Sequence, residues 1–71
     1  MPKLPHVSGR EAVRALQKLG FEVSRQKSSH IVMKRGTDGC VIPNHQEIKI
    51  GTLAGVLRQA GVSAEEFIAA L

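Results

Sequence analysis

The stretch best suited to chemistry is residues 28–34, which read SSHIVMK. The alternation predicts a β-strand in which Ile31 and Met33 face the core while His30 faces the opposite surface. Imidazole is the one side chain whose ordinary pKa allows it to give and take protons near neutral pH. Three cations lie close by in the chain: Lys27, Lys34 and Arg35. A basic surface with one histidine suits the cleavage of RNA, although most lone strand histidines are merely polar surface groups.

Charge is unevenly distributed along the chain, which has a formal net charge of +4 and a pI of about 9.9. Residues 1–38 carry eight lysines and arginines against three acidic residues, whereas residues 39–71 carry two against three. This imbalance predicts a polyanionic partner such as a nucleic acid, with an ordinary solvated surface as the alternative. Aromatic residues make up only 3%, which argues against modules that stack bases on a sheet of aromatics.

The length of 71 residues predicts a single domain over residues 1–71. No apolar run approaches the roughly 20 residues of a membrane span, and no signal segment is recognisable at the N-terminus. The single cysteine, Cys40, excludes an internal disulfide and fits a cytoplasmic protein in which this residue is a small buried hydrophobe.

Two capping boxes mark predicted helix starts. Ser8 precedes Glu11 by three residues, and Ser63 precedes Glu66 in the same way, so each serine can cap a helix N-terminus. The first predicts a helix over residues 8–19. The second predicts a short final helix whose apolar residues are Phe67, Ile68 and Leu71. A further helix is predicted between them, opening at residues 51–52 with Thr52 as its cap and closing at Gly61.

Three short strands are predicted between the first two helices, over residues 21–26, 30–35 and 40–42. Residues 27–29 and 36–39 form the turns, and the second turn, GTDG, is a strong hairpin signal. The order α-β-β-β-α-(α) predicts a single small α+β domain with a three-stranded antiparallel sheet. Helices are expected on one face of the sheet, which leaves the face of His30 open.

Five motifs in order also resemble one known family over nearly the whole chain. They read LPHVSGRE at residues 4–11, LGFE at 19–22, RQKSSH at 25–30, IPNH at 42–45 and GTLAGVLRQAGVS at 51–63. On these motifs the chain resembles the HicA (YcfA-like) mRNA interferase toxins, whose fold is similar to double-stranded-RNA-binding domains. One position departs from the family pattern, because Ser28 replaces the glycine that usually precedes the Ser-His pair.

The resemblance implies a metal-independent endoribonuclease, the toxin of a type II toxin–antitoxin pair, with His30 as its catalytic residue. It also implies mRNA as the target, no cofactor, and a cognate HicB-type antitoxin that covers the active face. RNA supplies its own nucleophile, the 2′-hydroxyl, so cleavage needs a base, an acid and positive charge around the phosphate, but no metal. A positioned histidine typically contributes about 10²–10⁴-fold to such a reaction.

Further residues are candidates for contacts with RNA. Lys27, Lys34 and Arg35 are expected to hold phosphate and stabilise developing charge, and Lys49 could do the same near the start of the second helix. Ser29 either orients RNA or shapes the turn. His45 is a candidate for the second proton transfer or for phosphate contact, with an ordinary loop histidine as the alternative.

Other classes of function are also compatible with the sequence. No metal site is predicted, because the acidic residues are scattered and the histidines and cysteine lack a zinc-ligand spacing. A non-catalytic RNA-binding module of the same fold would bind through its cations, including Arg10, Arg14 and Lys18, with strong dependence on salt. A pure protein-interaction domain would show no salt-sensitive RNA binding.

Overall fold

The computed structural model describes residues 3–71, so the first two residues of the predicted domain lie outside the described part. The elements are α1 (Gly9–Lys18), β1 (Glu22–Lys27), β2 (His30–Arg35), β3 (Asp38–Pro43), α2 (Ile50–Ala60) and α3 (Ala64–Ala70). This order confirms the predicted α+β class. Among residues 3–71, no helix has the length and apolar content needed to cross a membrane.

Helix α1 begins as the capping box predicts. The Ser8 side chain accepts a hydrogen bond from the Glu11 amide at 3.0 Å, and the Glu11 carboxylate accepts one from the Ser8 amide at 3.0 Å. The helix buries a stripe of small and apolar side chains that includes Ala12, Ala15 and Leu16. It ends before Gly20, whose φ of +97° reverses the chain towards β1.

The three strands form one antiparallel sheet in the order β1-β2-β3. The observed β2 agrees with its predicted bounds, while β3 begins two residues earlier and ends one residue later than predicted. It is longer because Asp38 already pairs with Arg35, which leaves only residues 36 and 37 in the turn. Gly36 takes a φ of +58° there, as a tight hairpin turn requires.

Helix α2 starts earlier than the sequence suggests, and the prediction that Thr52 caps it is wrong. The helix begins at Ile50, and its N-cap residue is Lys49, which provides no side-chain hydrogen bond. Helical bonding begins there because the Leu53 amide donates to the Lys49 carbonyl at 2.9 Å, directly after Ile48 is anchored by a bridge to Val7. Thr52 therefore lies inside the first turn.

The C-terminal part follows the remaining signals, with one exception. Gly61 ends α2 with a φ of +71°, and Ser63 forms the predicted capping box with Glu66. Phe67 is fully buried, as predicted, but Leu71 is 48% exposed. Leu71 follows the last helical residue, so Ala70 takes the inward-facing position instead.

Helices α1 and α2 pack on one face of the sheet, α3 packs against these two helices, and the other face of the sheet is open. β2 and β3 alternate between buried and more exposed residues, and the buried ones join the helices in a single hydrophobic cluster. The largest fully buried side chains are Phe67, Leu16, Met33, Ile42, Ile48 and Leu53. β1 is an edge strand, so Val23 lies opposite Met33 on the covered face yet remains 41% exposed.

Candidate active site and basic face

His30 is the first residue of β2, and its side chain is exposed on the open face of the sheet. Its strand neighbours Ile31 and Met33 are 6% and 0% exposed. Because side chains alternate along a strand, the burial of these two residues forces His30 to the other side. The prediction that this ring faces solvent is confirmed.

A bulge in β1 determines which of its side chains share the face of His30. The pairing with β2 skips from Val23 to Arg25, so Ser24 has no partner in the ladder. Val23 pairs with a buried residue of β2, whereas Arg25 pairs with a residue on the open face. The extra residue thus brings Arg25 and Lys27 to the face of His30, where uninterrupted alternation from Val23 would have turned them towards the helices.

A shallow concavity of about 390 Å³ lies around the exposed ring. We call it the His30 concavity; its lining residues are Arg25, Lys27, Ser28, His30 and Val32. Lys27 pairs directly with His30, and Cβ atoms of such pairs lie about 4.5–5.5 Å apart. A group able to transfer protons is therefore placed beside two cations able to hold a phosphate.

The turn that presents His30 consists of Ser28 and Ser29 alone. Ser28 has a φ of +51°, the only positive φ at a non-glycine residue in the described part of the chain. Such a conformation costs about 1–2 kcal/mol for a residue with a Cβ atom. The Ser29 carbonyl accepts a hydrogen bond from the Asn44 amide at 2.7 Å, which ties this turn to the segment that follows β3.

Lys34 also lies on the open face, but farther along the strand. It is exposed and pairs with Glu22, whose carboxylate shares that face. It lies four positions beyond His30, a distance of about 13 Å along a strand. Lys34 is thus placed to contact a more distant part of a long ligand, not the group that contacts the ring of His30.

Arg35 is not brought to the His30 concavity. Its guanidinium donates to the Leu19 carbonyl at 3.0 Å, lies 4.6 Å from the centre of the Phe21 ring and lies 3.7 Å from the Asp38 carboxylate. These contacts join the end of α1 to the β2–β3 turn. They give Arg35 a structural role on the helix side of the sheet.

A second shallow concavity, of about 390 Å³, lies where the segment after β3 passes the start of α1. We call it the Arg10–His45 concavity; its lining residues are Ser8, Arg10, Asn44, His45 and Gln46. It shares none of these residues with the His30 concavity. Lys49, exposed at the start of α2, lines neither.

Two basic residues of these concavities were not among the predicted site residues. Arg25 reaches the open face because of the β1 bulge, and no glycine or other residue in the sequence indicates that a bulge forms there. Arg10 is predicted only as one of the cations, with Arg14 and Lys18, of a non-catalytic RNA-binding module. Its proximity to His45 depends on a long-range contact, the hydrogen bond from the Gly9 amide to the His45 carbonyl at 2.8 Å.

Two titratable groups outside these concavities have clearly shifted pKa values. Burial raises the pKa of the Cys40 thiol, which fits its predicted role as a small core residue. Hydrogen bonds from the backbone and then the side chain of Ser63 lower the pKa of Glu66. Among residues 3–71, no group of three or more histidine, cysteine and acidic side chains is arranged to hold a metal ion.

Comparison with models of known protein families gives a match over most of the chain. The family described as HicA toxin of bacterial toxin–antitoxin matches residues 9–62 of the 71-residue chain. The matched region begins at the first residue of α1 and runs past the end of α2, so it contains both concavities. No curated protein matches the chain.

Proposed function

Since the chain belongs to the HicA toxins of bacterial toxin–antitoxin systems, we propose that it is a metal-independent endoribonuclease that cleaves mRNA by means of His30. The observation that carries this proposal is the exposed ring of His30 beside Arg25 and Lys27 on an otherwise open sheet face. In a toxin of this family, that face offers both a proton-transfer group and an electrostatic site for RNA.

The reaction proposed is internal attack within the RNA chain. The 2′-oxygen forms a bond to the adjacent phosphorus, the bond from phosphorus to the 5′-oxygen breaks, and a 2′,3′-cyclic phosphate and a 5′-hydroxyl result. One proton leaves the 2′-oxygen and one reaches the departing 5′-oxygen. His30 performs one of these two transfers, which for a positioned histidine is worth about 10²–10⁴-fold in rate.

Positive charge next to His30 serves binding and catalysis together. Lys27 and Arg25 lie within the same concavity, where they hold the scissile phosphate and stabilise the charge that develops on it. Lys34 holds a phosphate farther along the open face. Ser29 acts through its backbone, because its carbonyl fixes the segment that starts at Asn44.

A toxin of this family has an antitoxin partner. We take that partner to be a HicB-type protein that covers the open face and blocks access to His30, and the toxin to act in the cytoplasm, where mRNA is present. Arg25, Lys27 and Lys34 on that face favour an acidic covering surface. Val32 and Val41, which pair on the same face, provide an apolar centre for the contact.

The test is cleavage of an RNA pool by the purified protein, with and without EDTA. The expected result is cleavage that EDTA leaves unchanged and fragments that carry 2′,3′-cyclic phosphate ends. DNA of matched sequences is the control, and it should remain intact because it lacks the 2′-hydroxyl. RNA binding without cleavage would instead support a non-catalytic RNA-binding module, and loss of cleavage in EDTA would support a metal nuclease.

A further inference from the structure

The Arg10–His45 concavity is next to the His30 concavity but separate from it. Pro43 pairs with His30 across the β2–β3 ladder, and the Asn44 amide donates to the carbonyl of Ser29. His45 is two residues beyond Pro43, and two residues of extended chain span at most about 7 Å. The backbone of His45 therefore lies close to Pro43, the residue that pairs with His30, at the end of the β2–β3 ladder.

The segment that carries His45 is held firmly against α1. The Gly9 amide donates to the His45 carbonyl at 2.8 Å, and Ile48 bridges to Val7. Gly9 has no side chain, and a Cβ atom there would clash with the Pro43 carbonyl oxygen and stand 2.9 Å from the Asn44 Cα. This close approach fixes the position of the concavity before any ligand arrives, which lowers the entropic cost of binding.

The charges in this concavity favour an anion. Arg10 is exposed and forms no ion pair with any of residues 3–71. The nearest acidic side chains in sequence have other partners, since Glu11 accepts from the Ser8 amide and Glu47 lies 3.0 Å from His6 Nδ1. A free guanidinium beside an imidazole and two side-chain amides is a suitable set of donors for a phosphate.

We propose that the Arg10–His45 concavity is a second RNA subsite, which binds a phosphodiester that flanks the one cleaved at His30. This inference rests on the proposed ribonuclease function and adds to it a minimum substrate, an RNA strand with phosphodiesters beyond the scissile one. It assigns Arg10 to phosphate binding. It also assigns His45 to contact with the flanking nucleotide instead of the second proton transfer, because His45 and His30 line different concavities.

The test compares two substrates that share one cleavage site. A dinucleotide contains only the scissile phosphodiester, whereas a tetranucleotide with that site at its centre has one flanking phosphodiester on each side. Arg10→Gln should lower kcat/KM for the tetranucleotide about tenfold, the loss expected for one charged hydrogen bond, and should leave the dinucleotide unchanged. His45→Gln should show the same selectivity.

The matched control is Arg14→Gln, one helical turn farther along α1. Arg14 is also exposed, but it does not line the Arg10–His45 concavity, so its removal should not alter the preference for the longer substrate. A variant that is merely less folded would lose activity on both substrates equally. The thermal unfolding midpoint of each variant provides a direct check.

Binding offers a second measurement when cleavage of the dinucleotide is too slow to follow. In the His30→Ala background, Arg10→Gln should weaken binding of the tetranucleotide and reduce the dependence of affinity on salt by roughly one ionic contact. If the wild-type protein cleaves RNA but Arg10→Gln changes neither measurement, the proposed subsite is wrong and the proposed ribonuclease function is unaffected. Absence of cleavage by the wild-type protein would overturn the proposed ribonuclease function.

Discussion

Lys27 lies directly opposite His30 across the β1–β2 ladder, on the open face of the sheet. This juxtaposition depends on the unpaired residue Ser24, because the bulge there changes the side on which all later residues of β1 project. The same shift brings Arg25 to this face. The one-residue bulge in this edge strand is thus the reason that the exposed His30 has Arg25 and Lys27 beside it.

The turn that presents His30 contains removable strain. Ser28 has a φ of +51°, which glycine adopts without steric cost, so Ser28→Gly should raise the free energy of unfolding by up to about 1 kcal/mol after allowance for the entropy of glycine. Urea denaturation measures the change. Ser29→Gly is the control: its φ is not positive, and glycine there should lower stability. Equal effects of the two changes would refute this explanation of the turn.

The close approach of Gly9 to the end of β3 predicts opposite results for two glycine replacements. In Gly9→Ala the new Cβ would meet backbone atoms of Pro43 and Asn44, and overpacking of this kind costs about 1–3 kcal/mol. In Gly55→Ala nothing lies within 4 Å of the new Cβ, so the higher helix propensity of alanine should add about 0.5–1 kcal/mol. Urea denaturation measures the free energy of unfolding of both variants. A gain in stability for Gly9→Ala, like that expected for Gly55→Ala, would mean that helix propensity and not the close approach to Pro43 and Asn44 determines the effect of the substitution.

Arg35 is expected to matter for stability and not for RNA binding. Arg35→Met removes the donor to the Leu19 carbonyl, a charged hydrogen bond worth about 1.5–3 kcal/mol. Lys34→Met, at the exposed neighbouring position, should change stability by no more than about 0.5 kcal/mol. RNA affinity is measured at a temperature where both variants are folded. If Arg35→Met kept full stability but bound RNA more weakly, the sequence-based prediction that Arg35 contacts RNA would be correct.

Glu66 should contribute to stability in a pH-dependent way. Its pKa is lowered from the ordinary value of 4.5 by hydrogen bonds from Ser63, so the folded state favours the carboxylate. The stabilisation is present above pH 4.5 and is lost as the pH falls through the lower, folded-state pKa. Between pH 7 and pH 3 the wild-type protein should therefore lose more stability in urea than Glu66→Gln.

The adjacent acid supplies the control for this pH dependence. Glu65 is also exposed at the start of α3, but it is Glu66 that accepts the Ser63 amide hydrogen bond at 3.2 Å. Glu65→Gln should therefore follow the wild-type pH profile. If Glu66→Gln followed it too, the capping-box carboxylate would not be the source of the effect.

Local signals account for most of the fold. Both capping boxes, the left-handed Gly61 and the alternation of β2 are short-range features, and the structure confirms each of them. The start of α2 was predicted too late because threonine, like serine and asparagine, is a common N-cap residue, and Thr52 stands near the helix start. The true start at Ile50 is set by the tertiary bridge between Val7 and Ile48, which short-range patterns do not contain.

The candidate site was less accessible to prediction from the sequence. The exposure of His30 follows from alternation alone, but its neighbours follow from pairing between strands. Arg25 and Arg35 are each five residues from His30 in the chain, yet Arg25 lies on the same face of the sheet and Arg35 on the other. Alternation along β2 already places Arg35 on the face of Met33, whereas the position of Arg25 depends on the bulge and register of β1, which residue type and spacing do not encode.

The role of His30 in proton transfer during RNA cleavage can be measured by single-turnover cleavage with the variant His30→Ala. His6→Ala is the matched control, because His6 is an exposed histidine that contacts Glu47 and lines neither concavity. Measured at saturating protein, the cleavage rate should fall about 10²–10⁴-fold in His30→Ala and stay unchanged in His6→Ala, with both variants as stable as the wild type. Cleavage by His30→Ala at the wild-type rate would show that His30 does not transfer a proton in this reaction.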